Sequence, residues 1–347
     1  MDVGGKAIHS LESSDKNGNP HMRKSRIGFF WIFLLGVSLY ACYVYFCFIY
    51  INRTQCLKNK HKLYYVPMDI SRFDGYGLPY LSLKIENQTM LALLDLGFQG
   101  YFAISSSILD DIQDKKHLYL KTYCGIFGAE HQNNVYQIPR AEVGSLKFTR
   151  ATVYEASDDF FASSVFFSEG NRPRVDKDQG IIGWRAFSRA NLFLDTTNSL
   201  VGFADSLETL QQNGYADRHF IKVPLLLDRG FVEIEVEGPM GSFRCVLDTG
   251  ASYSIMHTEC KEGQAPEQAI WENISNDTSL IIGGESFGPI LFLHFPIHLP
   301  LPLKVDAILG MEFLKEHIVF IDFAEGYVYL AKRALSGCGG EGSDPLH

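Results

Sequence analysis

Cysteine is scarce in this sequence: seven residues are scattered over 347 positions, and no Cys-x-x-Cys pair occurs. An odd, dispersed set does not make a disulfide framework, and the missing pair removes a common zinc-ligand spacing. Basic residues are also in the minority, 31 against 40 acidic ones, which gives a net charge of −9. Because nucleic-acid binding needs a basic surface, the sequence predicts no nucleic-acid partner.

Charged residues are absent from residues 27–51, a run of 25 positions. Roughly 20 apolar residues in a helix span the hydrocarbon core of a bilayer, and a buried core helix or the apolar core of a signal peptide is shorter. Residues 27–51 are therefore predicted to form one transmembrane helix. Basic residues flank both ends, but the compact cluster Arg23, Lys24 and Arg26 favours a cytoplasmic N-terminus. The C-terminal part is then expected on the non-cytoplasmic side.

An internal repeat occupies most of the remaining chain, whose short alternating runs are typical of β-strands. Each copy has an alternating strand, a turn and a second strand that ends in Asp-x-Gly, at Asp95-Leu96-Gly97 and Asp248-Thr249-Gly250. Downstream, Ile181-Ile182-Gly183 matches Ile308-Leu309-Gly310, and an aspartate follows each of these glycines by twelve residues. Two copies at matched spacing indicate an internal duplication.

The intact motif Asp248-Thr249-Gly250-Ala251-Ser252, with Ile308-Leu309-Gly310 sixty residues later, resembles the aspartic peptidases of the retropepsin and pepsin type. Asp95-Leu96-Gly97 and Ile181-Ile182-Gly183 carry a degenerate form of the same resemblance. Together the motifs cover about residues 63–332. The resemblance implies a mainly β, bilobal acid-protease-like fold, with two retropepsin-like β-barrel lobes that each supply one catalytic aspartate.

The apolar run and the repeat divide the chain into seven predicted segments. These are a polar tail (1–26), the transmembrane helix (27–51), a linker (52–62), lobe 1 (63–205), an interlobe linker (206–222), lobe 2 (223–332) and a flexible tail (333–347).

The resemblance assigns the chemistry to Asp248 and Asp95. Two adjacent carboxylates do not both ionise cheaply, so they share a proton. The ionised group takes a proton from water while the protonated group donates to the scissile carbonyl, and this needs no metal, cofactor or covalent intermediate. The implied activity is that of a membrane-anchored aspartic endopeptidase, which hydrolyses a peptide or protein substrate at acidic to near-neutral pH.

Residues around the two aspartates are implied to shape the active-site loops. The glycine of each motif permits the tight turn, and in the family the Thr249 hydroxyl forms a hydrogen bond across the lobe interface. The predicted loop-supporting residues are Thr249, Gly250, Ala251, Ser252, Leu96, Gly97 and Phe98. Gly183 and Gly310 are predicted to pack beside the aspartate loops, because glycine allows close approach of the backbone.

The two copies differ in length: 87 residues lie between Asp95 and Gly183, against 61 between Asp248 and Gly310. The extra length contains two glycines beside aromatic residues, followed by a polar turn. This pattern indicates a hairpin, either a flap that closes over substrate or a plain surface hairpin. The predicted substrate-binding residues of the flap are Tyr123, Gly125, Phe127 and Gly128.

The first copy departs from the family pattern at two positions. Leu96 stands in place of threonine, and Phe98 stands in place of a small residue, where its ring could crowd the water site or raise the pKa of Asp95. Three hypotheses stay open: an active bilobal endopeptidase, an enzyme whose site forms between the second lobes of a homodimer, and a pseudopeptidase that binds peptide segments without cleavage. Retention of Asp95 argues against the pseudopeptidase, because an idle half-buried carboxylate is costly to keep unpaired.

Two other conspicuous residues are predicted to be structural. Asp195 occupies the position equivalent to Asp322, close to the end of a late strand, and is expected to stabilise a turn. Cys245 lies three residues before Asp248 and is expected to be a buried thiol, since free cysteine is commonly interior.

Overall fold

The computed structural model describes ten stretches of the chain. They are residues 38–40, 55–57, 63–68, 77–124, 130–156, 180–196, 198–239, 241–259, 274–297 and 305–332. The chain divides into two compact units, 1–52 and 53–347. In the first unit the described residues are Ser38–Tyr40, which are helical and exposed. The rest of the predicted transmembrane helix lies outside the described residues, and no helix within them has the length and apolarity to cross a bilayer.

The first half of the second unit forms eleven strands. They are β1 (Gln55–Leu57), β2 (Tyr64–Pro67), β3 (Tyr80–Ile85), β4 (Gln88–Asp95), β5 (Phe102–Ser105), β6 (Lys116–Cys124), β7 (Glu130–Val143), β8 (Leu146–Ala156), β9 (Gly180–Gly183), β10 (Leu192–Asp195) and β11 (Leu200–Phe203). A short helix α1 (Ser106–Asp111) follows β5, and a 3-10 turn (Trp184–Ala186) follows β9. Six strands close into a barrel in the order β8-β5-β9-β4-β3-β7, because β7 also pairs with β8.

The second half forms nine strands. They are β12 (Ile221–Pro224), β13 (Glu233–Gly238), β14 (Gly241–Leu247), β15 (Ser254–His257), β16 (Ile274–Ile282), β17 (Glu285–Phe295), β18 (Ala307–Leu309), β19 (His317–Asp322) and β20 (Tyr327–Lys332). The helix α2 (Leu207–Leu210) and a π-helical turn (Gln211–Tyr215) precede them, and α3 (Met311–Leu314) follows β18. A second barrel closes in the order β17-β15-β18-β14-β13-β16.

The two barrels have the same strand order, so that β4 corresponds to β14 and β9 to β18. In each barrel the strand that leads to Asp-x-Gly pairs in parallel with the apolar-apolar-Gly strand, with Asp95 opposite Gly183 and Leu247 opposite Leu309. Alternating apolar residues of these strands fill the barrel interiors. The prediction of a mainly β protein with two barrel lobes is confirmed.

A third sheet joins the halves in the order β12-β20-β19-β10-β11-β2, with three strands from each half. Its centre is the antiparallel pair β10–β19, where the buried Phe193 and Phe320 lie opposite each other. Two predicted linkers are therefore partly strands. β1, within the predicted linker 52–62, pairs with β8, and β12 begins inside the predicted linker 206–222.

The two late aspartates stabilise turns, as predicted. Asp195 is buried and accepts hydrogen bonds from the Asn198 side chain (2.7 Å) and the Tyr215 hydroxyl (2.8 Å). Asp322 accepts from the backbone N–H of Ala324 (3.1 Å) and of the next residue. Cys245 is fully buried on β14, and burial holds the pKa of its thiol well above the ordinary value.

Candidate active site

Asp95 and Asp248 end equivalent strands of the two barrels and lie together at the junction of the lobes. The glycines of the two motifs show how close the loops are. A Cβ atom on Gly97 would lie 2.6 Å from Oδ2 of Asp248, and one on Gly250 would lie 2.6 Å from Cγ of Asp95. Each carboxyl group therefore packs on the glycine of the opposite lobe, and any side chain at either glycine would displace it.

Backbone N–H groups bind the two carboxyl groups unequally. Oδ1 of Asp248 accepts from the N–H of Gly250 (2.8 Å) and, across the interface, from the N–H of Gly97 (3.2 Å). Oδ1 of Asp95 accepts from the N–H of Phe98 (2.9 Å). The two carboxyl groups also share a hydrogen bond with each other.

Burial raises the pKa values of both Asp95 and Asp248, but the other contributions differ between the two groups. Burial, then the charge of Asp248 and the hydrogen bond to it, hold the pKa of Asp95 well above its ordinary value, against the N–H groups of Phe98 and Gly97. Burial also raises the pKa of Asp248, but the N–H of Gly250, the hydrogen bond from Asp95 and the N–H of Gly97 all stabilise its charged form. The pKa of Asp95 is therefore the more strongly raised of the two, and the charged form of Asp248 is the better stabilised.

Thr249 connects the lobes beneath the aspartates. Its hydroxyl donates to the carbonyl oxygen of Leu94 (2.6 Å) and accepts from the N–H of Leu96 (3.1 Å), and it is buried with both partners. This is the cross-interface hydrogen bond that the family resemblance implies. Leu96 occupies the equivalent position of lobe 1, is fully buried and has no hydroxyl to offer in return. The hydroxyl of lobe 2 therefore bonds to the backbone of lobe 1, and Leu96 provides no equivalent bond from lobe 1 to lobe 2.

Gly183 and Gly310 pack beside the aspartate loops, as predicted. A Cβ atom on Gly183 would lie 2.6 Å from the carbonyl oxygen of Phe98, and one on Gly310 would lie 2.7 Å from that of Ala251. The start of α3 secures the second loop, because the N–H of Met311 donates to Ala251 O (2.7 Å). The next N–H, of Glu312, donates to Ser252 O (3.0 Å). Ala251 and Ser252 thus act through their backbone.

The Phe98 ring takes space that two glycines leave open. It lies in contact with the position where Gly100 would carry a Cβ atom, and 2.7 Å from the equivalent position of Gly183. The ring packs edge-on against Tyr154, with 5.3 Å between the ring centroids. The large residue that replaces a small one is thus accommodated by Gly100, which belongs to no motif of the sequence.

The predicted hairpin of lobe 1 is formed by β6 and β7, which pair from Lys116–Gln137 up to Cys124–Glu130. Tyr123 lies opposite His131 and stacks on it, with ring centroids 5.2 Å apart. The predicted flap residues Gly125, Phe127 and Gly128 lie outside the described residues. Among the strands described in lobe 2, none corresponds to β6, in line with the length difference between the copies.

A group of residues near Phe98 was not predicted. Lys121 on β6 donates from Nζ to the hydroxyl of Tyr154 on β8 (3.3 Å) and lies 5.2 Å from the centroid of its ring. Tyr119 and Arg185 lie close enough to affect the pKa values of both. These four residues come from three separate elements, and no motif or spacing marks them in the sequence.

Comparison with models of known protein families found no match, and comparison with curated proteins found none either. In the parts of the chain that the structure describes, no group of three or more His, Cys, Asp or Glu side chains could hold a metal ion. The architecture itself is compatible with a bilobal acid-protease-like fold, since two closed six-stranded barrels each contribute an Asp-x-Gly turn to one site.

Proposed function

We propose that the protein is an aspartic endopeptidase that hydrolyses peptide bonds with a water molecule activated by Asp248 and Asp95. One observation carries the proposal: the two Asp-x-Gly turns cross, so that each carboxyl group packs on the glycine of the other lobe. Two carboxyl groups in hydrogen-bond contact, with pKa values raised to different degrees, are the arrangement that provides an acid and a base at one place.

The unequal hydrogen bonding assigns the two roles. Asp248, whose charge is stabilised by the N–H groups of Gly250 and Gly97, acts as the general base. Asp95 keeps its proton and acts as the general acid. A group with a raised pKa is a useful acid near neutral pH because it still holds a proton there.

The reaction then has two steps. Asp248 takes a proton from water as the water oxygen attacks the scissile carbonyl carbon, and Asp95 gives its proton to the carbonyl oxygen, which yields a neutral tetrahedral diol. In the second step Asp248 returns a proton to the amide nitrogen, the C–N bond breaks, and Asp95 recovers a proton from a diol hydroxyl. The products are a carboxylic acid and an amine, and both aspartates return to their initial states.

The substrate is an extended peptide segment that lies between the lobes. The β6–β7 hairpin of lobe 1 is the flap of this proposal, because it is the hairpin that extends beyond the closed barrel beside Phe98. A hairpin that closes over a bound peptide excludes water other than the attacking molecule and completes the site.

We also propose that residues 27–51 anchor the protein in a membrane as one helix, with the lobes on the non-cytoplasmic side. The uncharged run of 25 residues supports this. The full chain should stay in the membrane fraction through alkaline carbonate extraction. An externally added protease should cleave the lobes in intact spheroplasts or vesicles of defined orientation only if they face outward; recovery in the soluble fraction would contradict the anchor.

The catalytic proposal is tested by peptide cleavage with the purified full chain between about pH 3 and 8, where a carboxylate pair titrates. Asp248→Asn and Asp95→Asn should each lower kcat/KM by at least about a thousandfold, since each removes one proton-transfer group. Asp110→Asn, an exposed carboxylate of α1, is the matched control and should cleave like wild type.

Two other outcomes of the cleavage assay would each support one of the alternative hypotheses. If Asp95→Asn cleaves normally and Asp248→Asn is inactive, the site forms between the second lobes of a homodimer. If the folded wild type cleaves no peptide of a diverse library at any pH, the protein is a pseudopeptidase that binds peptide segments.

A further inference from the structure

The Lys121–Tyr154–Arg185 group lies one aromatic ring away from the catalytic loop of lobe 1. The N–H of Phe98 binds Asp95, and the Phe98 ring packs against Tyr154 at 5.3 Å. The hydroxyl of Tyr154 accepts a hydrogen bond from Lys121 at 3.3 Å. Contacts therefore connect the catalytic carboxyl group to a lysine on the flap strand, in the order Asp95, Phe98, Tyr154 and Lys121.

Strand register places these groups on one face of the lobe. Tyr119 on β6 lies opposite Val135 on β7, and Val135 lies opposite Tyr154 on β8. Residues directly opposite in a ladder share a face, and residues two apart on one strand do so too. Tyr119, Lys121 and Tyr154 therefore point to the same side. Glu155, the next residue of β8, points to the other side and accepts from Asn134 at 2.7 Å.

Positive charge at this place is not neutralised by the described part of the protein. Lys121 is half-buried, and neither it nor Arg185 forms an ion pair with a described carboxylate. Burial lowers the pKa of the Lys121 ammonium and the positive charge of Arg185 acts in the same direction, whereas the effect of Tyr119 opposes both. The guanidinium of Arg185 is exposed and lies over the Trp184 ring, 5.1 Å from its centroid. A half-buried ammonium without an acidic partner is stabilised by an anion that enters from outside.

We propose that Lys121 and Arg185, with the Tyr154 hydroxyl, form a substrate subsite that binds a carboxylate of the peptide beside the catalytic pair. An ammonium, a guanidinium and a phenol hydroxyl can each donate a hydrogen bond to a carboxylate, and hydrogen bonds between charged groups are the stronger ones. The proposal rests on the proposed function, and it names the substrate class: peptides with an acidic group at one position near the scissile bond.

The experiment compares peptide pairs with the purified full chain. In a peptide that is cleaved, glutamate and glutamine are exchanged at each position around the scissile bond, and the C-terminus is prepared as free acid and as amide. Wild type should prefer glutamate over glutamine at one position by about tenfold or more in kcat/KM, as a charge-assisted contact predicts. If only the free acid is preferred over the amide, the carboxylate bound is that of the chain end.

Variants test whether the Lys121 and Arg185 side chains cause the preference for an acidic substrate residue. Lys121→Gln and Arg185→Gln should each reduce the preference, and Lys121→Glu should reverse it towards lysine at the same position. Lys116→Gln, an exposed lysine of the same strand, is the matched control and should keep the wild-type preference. Equal kcat/KM for glutamate and glutamine peptides in wild type, or a preference that survives Lys121→Glu, would overturn the proposal.

Failure of the subsite is separable from failure of the catalytic proposal. Binding of fluorescein-labelled peptide pairs to the uncleaving Asp248→Asn protein is measured by anisotropy. Discrimination by charge without cleavage by wild type would support the subsite and reject the peptidase. Cleavage without discrimination, in either assay, would support the peptidase and reject the subsite.

Discussion

The two lobes share a strand order but hold their aspartates differently. In lobe 2 the carboxyl group of Asp248 accepts two backbone N–H groups, and Thr249 anchors the loop to the opposite lobe. In lobe 1 the apolar Leu96 occupies the position that corresponds to Thr249, and the large side chain of Phe98 follows the motif glycine. The less supported carboxyl group has the more strongly raised pKa. The degenerate motif thus occurs in the lobe whose aspartate accepts fewer backbone hydrogen bonds and has the more strongly raised pKa.

The largest effect that tests this comparison is expected from the motif glycines. Gly97→Ala and Gly250→Ala each introduce a Cβ atom 2.6 Å from the carboxyl group of the opposite lobe. Because a displacement of about 1 Å in a catalytic group costs on the order of a hundredfold in rate, both variants should lose about that much kcat/KM. A site built from two second lobes would instead tolerate Gly97→Ala, and circular dichroism would show that both variants are folded.

A large effect on stability is expected at Thr249. Thr249→Val removes the hydroxyl and leaves the carbonyl of Leu94 and the N–H of Leu96 buried without this partner. With about 1–3 kcal/mol for each of the two unsatisfied groups, the free energy of unfolding should fall by roughly 2–6 kcal/mol in urea denaturation. Thr249→Ser keeps the hydroxyl and should lose less than half of that. Equal losses in the two variants would show that the methyl group, and not the hydrogen bonds, matters.

The pH dependence of stability should change when the protonated aspartate is replaced. The pKa of Asp95 is raised in the folded state, so its contribution to stability is complete below the unfolded pKa of about 3.9 and is lost as the pH rises through the folded pKa. Asp95→Asn removes this loss, by about 1.4 kcal/mol for each unit between the two pKa values. The Tm difference between variant and wild type should therefore grow in favour of Asp95→Asn as the pH rises from 4.

Asp110→Asn provides the reference for that comparison, because Asp110 is exposed on the surface. A Tm difference for Asp95→Asn that changes with pH no more than the Tm difference for Asp110→Asn would show that the pKa of Asp95 is not raised in the folded state.

The smallest effect is expected from the ring that follows the motif of lobe 1. Phe98→Ser admits water beside Asp95, and because burial is the main cause of its raised pKa, the high-pH limb of kcat/KM should move to lower pH by about one unit or less. Phe98→Tyr keeps the ring against Tyr154 and should leave the limb in place. If the high-pH limb moved by the same amount in both variants, burial by the Phe98 ring would not be a cause of the raised pKa of Asp95.

Much of the site was predictable because the duplication places two copies of each motif in the sequence. The matched Asp-x-Gly and apolar-apolar-Gly motifs indicate both aspartates, both packing glycines and two β-lobes from the sequence alone. What could not be predicted depends on register between distant segments. Gly100 makes room for Phe98, and Lys121 meets Tyr154 across β7, but neither pair has a characteristic spacing along the chain.

The central sheet was missed for a related reason. The apolar runs of β2, β10, β12 and β19 are typical of strands, but they do not indicate which strands pair with each other. The sheet that they form together takes three strands from each half, and its middle pair, β10–β19, joins the halves. Pairing between segments more than 120 residues apart is decided by tertiary packing, which local β propensity does not report.

That middle pair has a consequence for folding. Cutting the chain between β11 and β12 would leave each fragment with a three-stranded half-sheet whose inner strand, β10 or β19, has an uncovered backbone edge. An exposed edge of this kind pairs readily with another strand. The fragments should complement each other when mixed, and each alone should tend to pair with its own copy. In the single chain the two edges cover each other as a permanent internal contact.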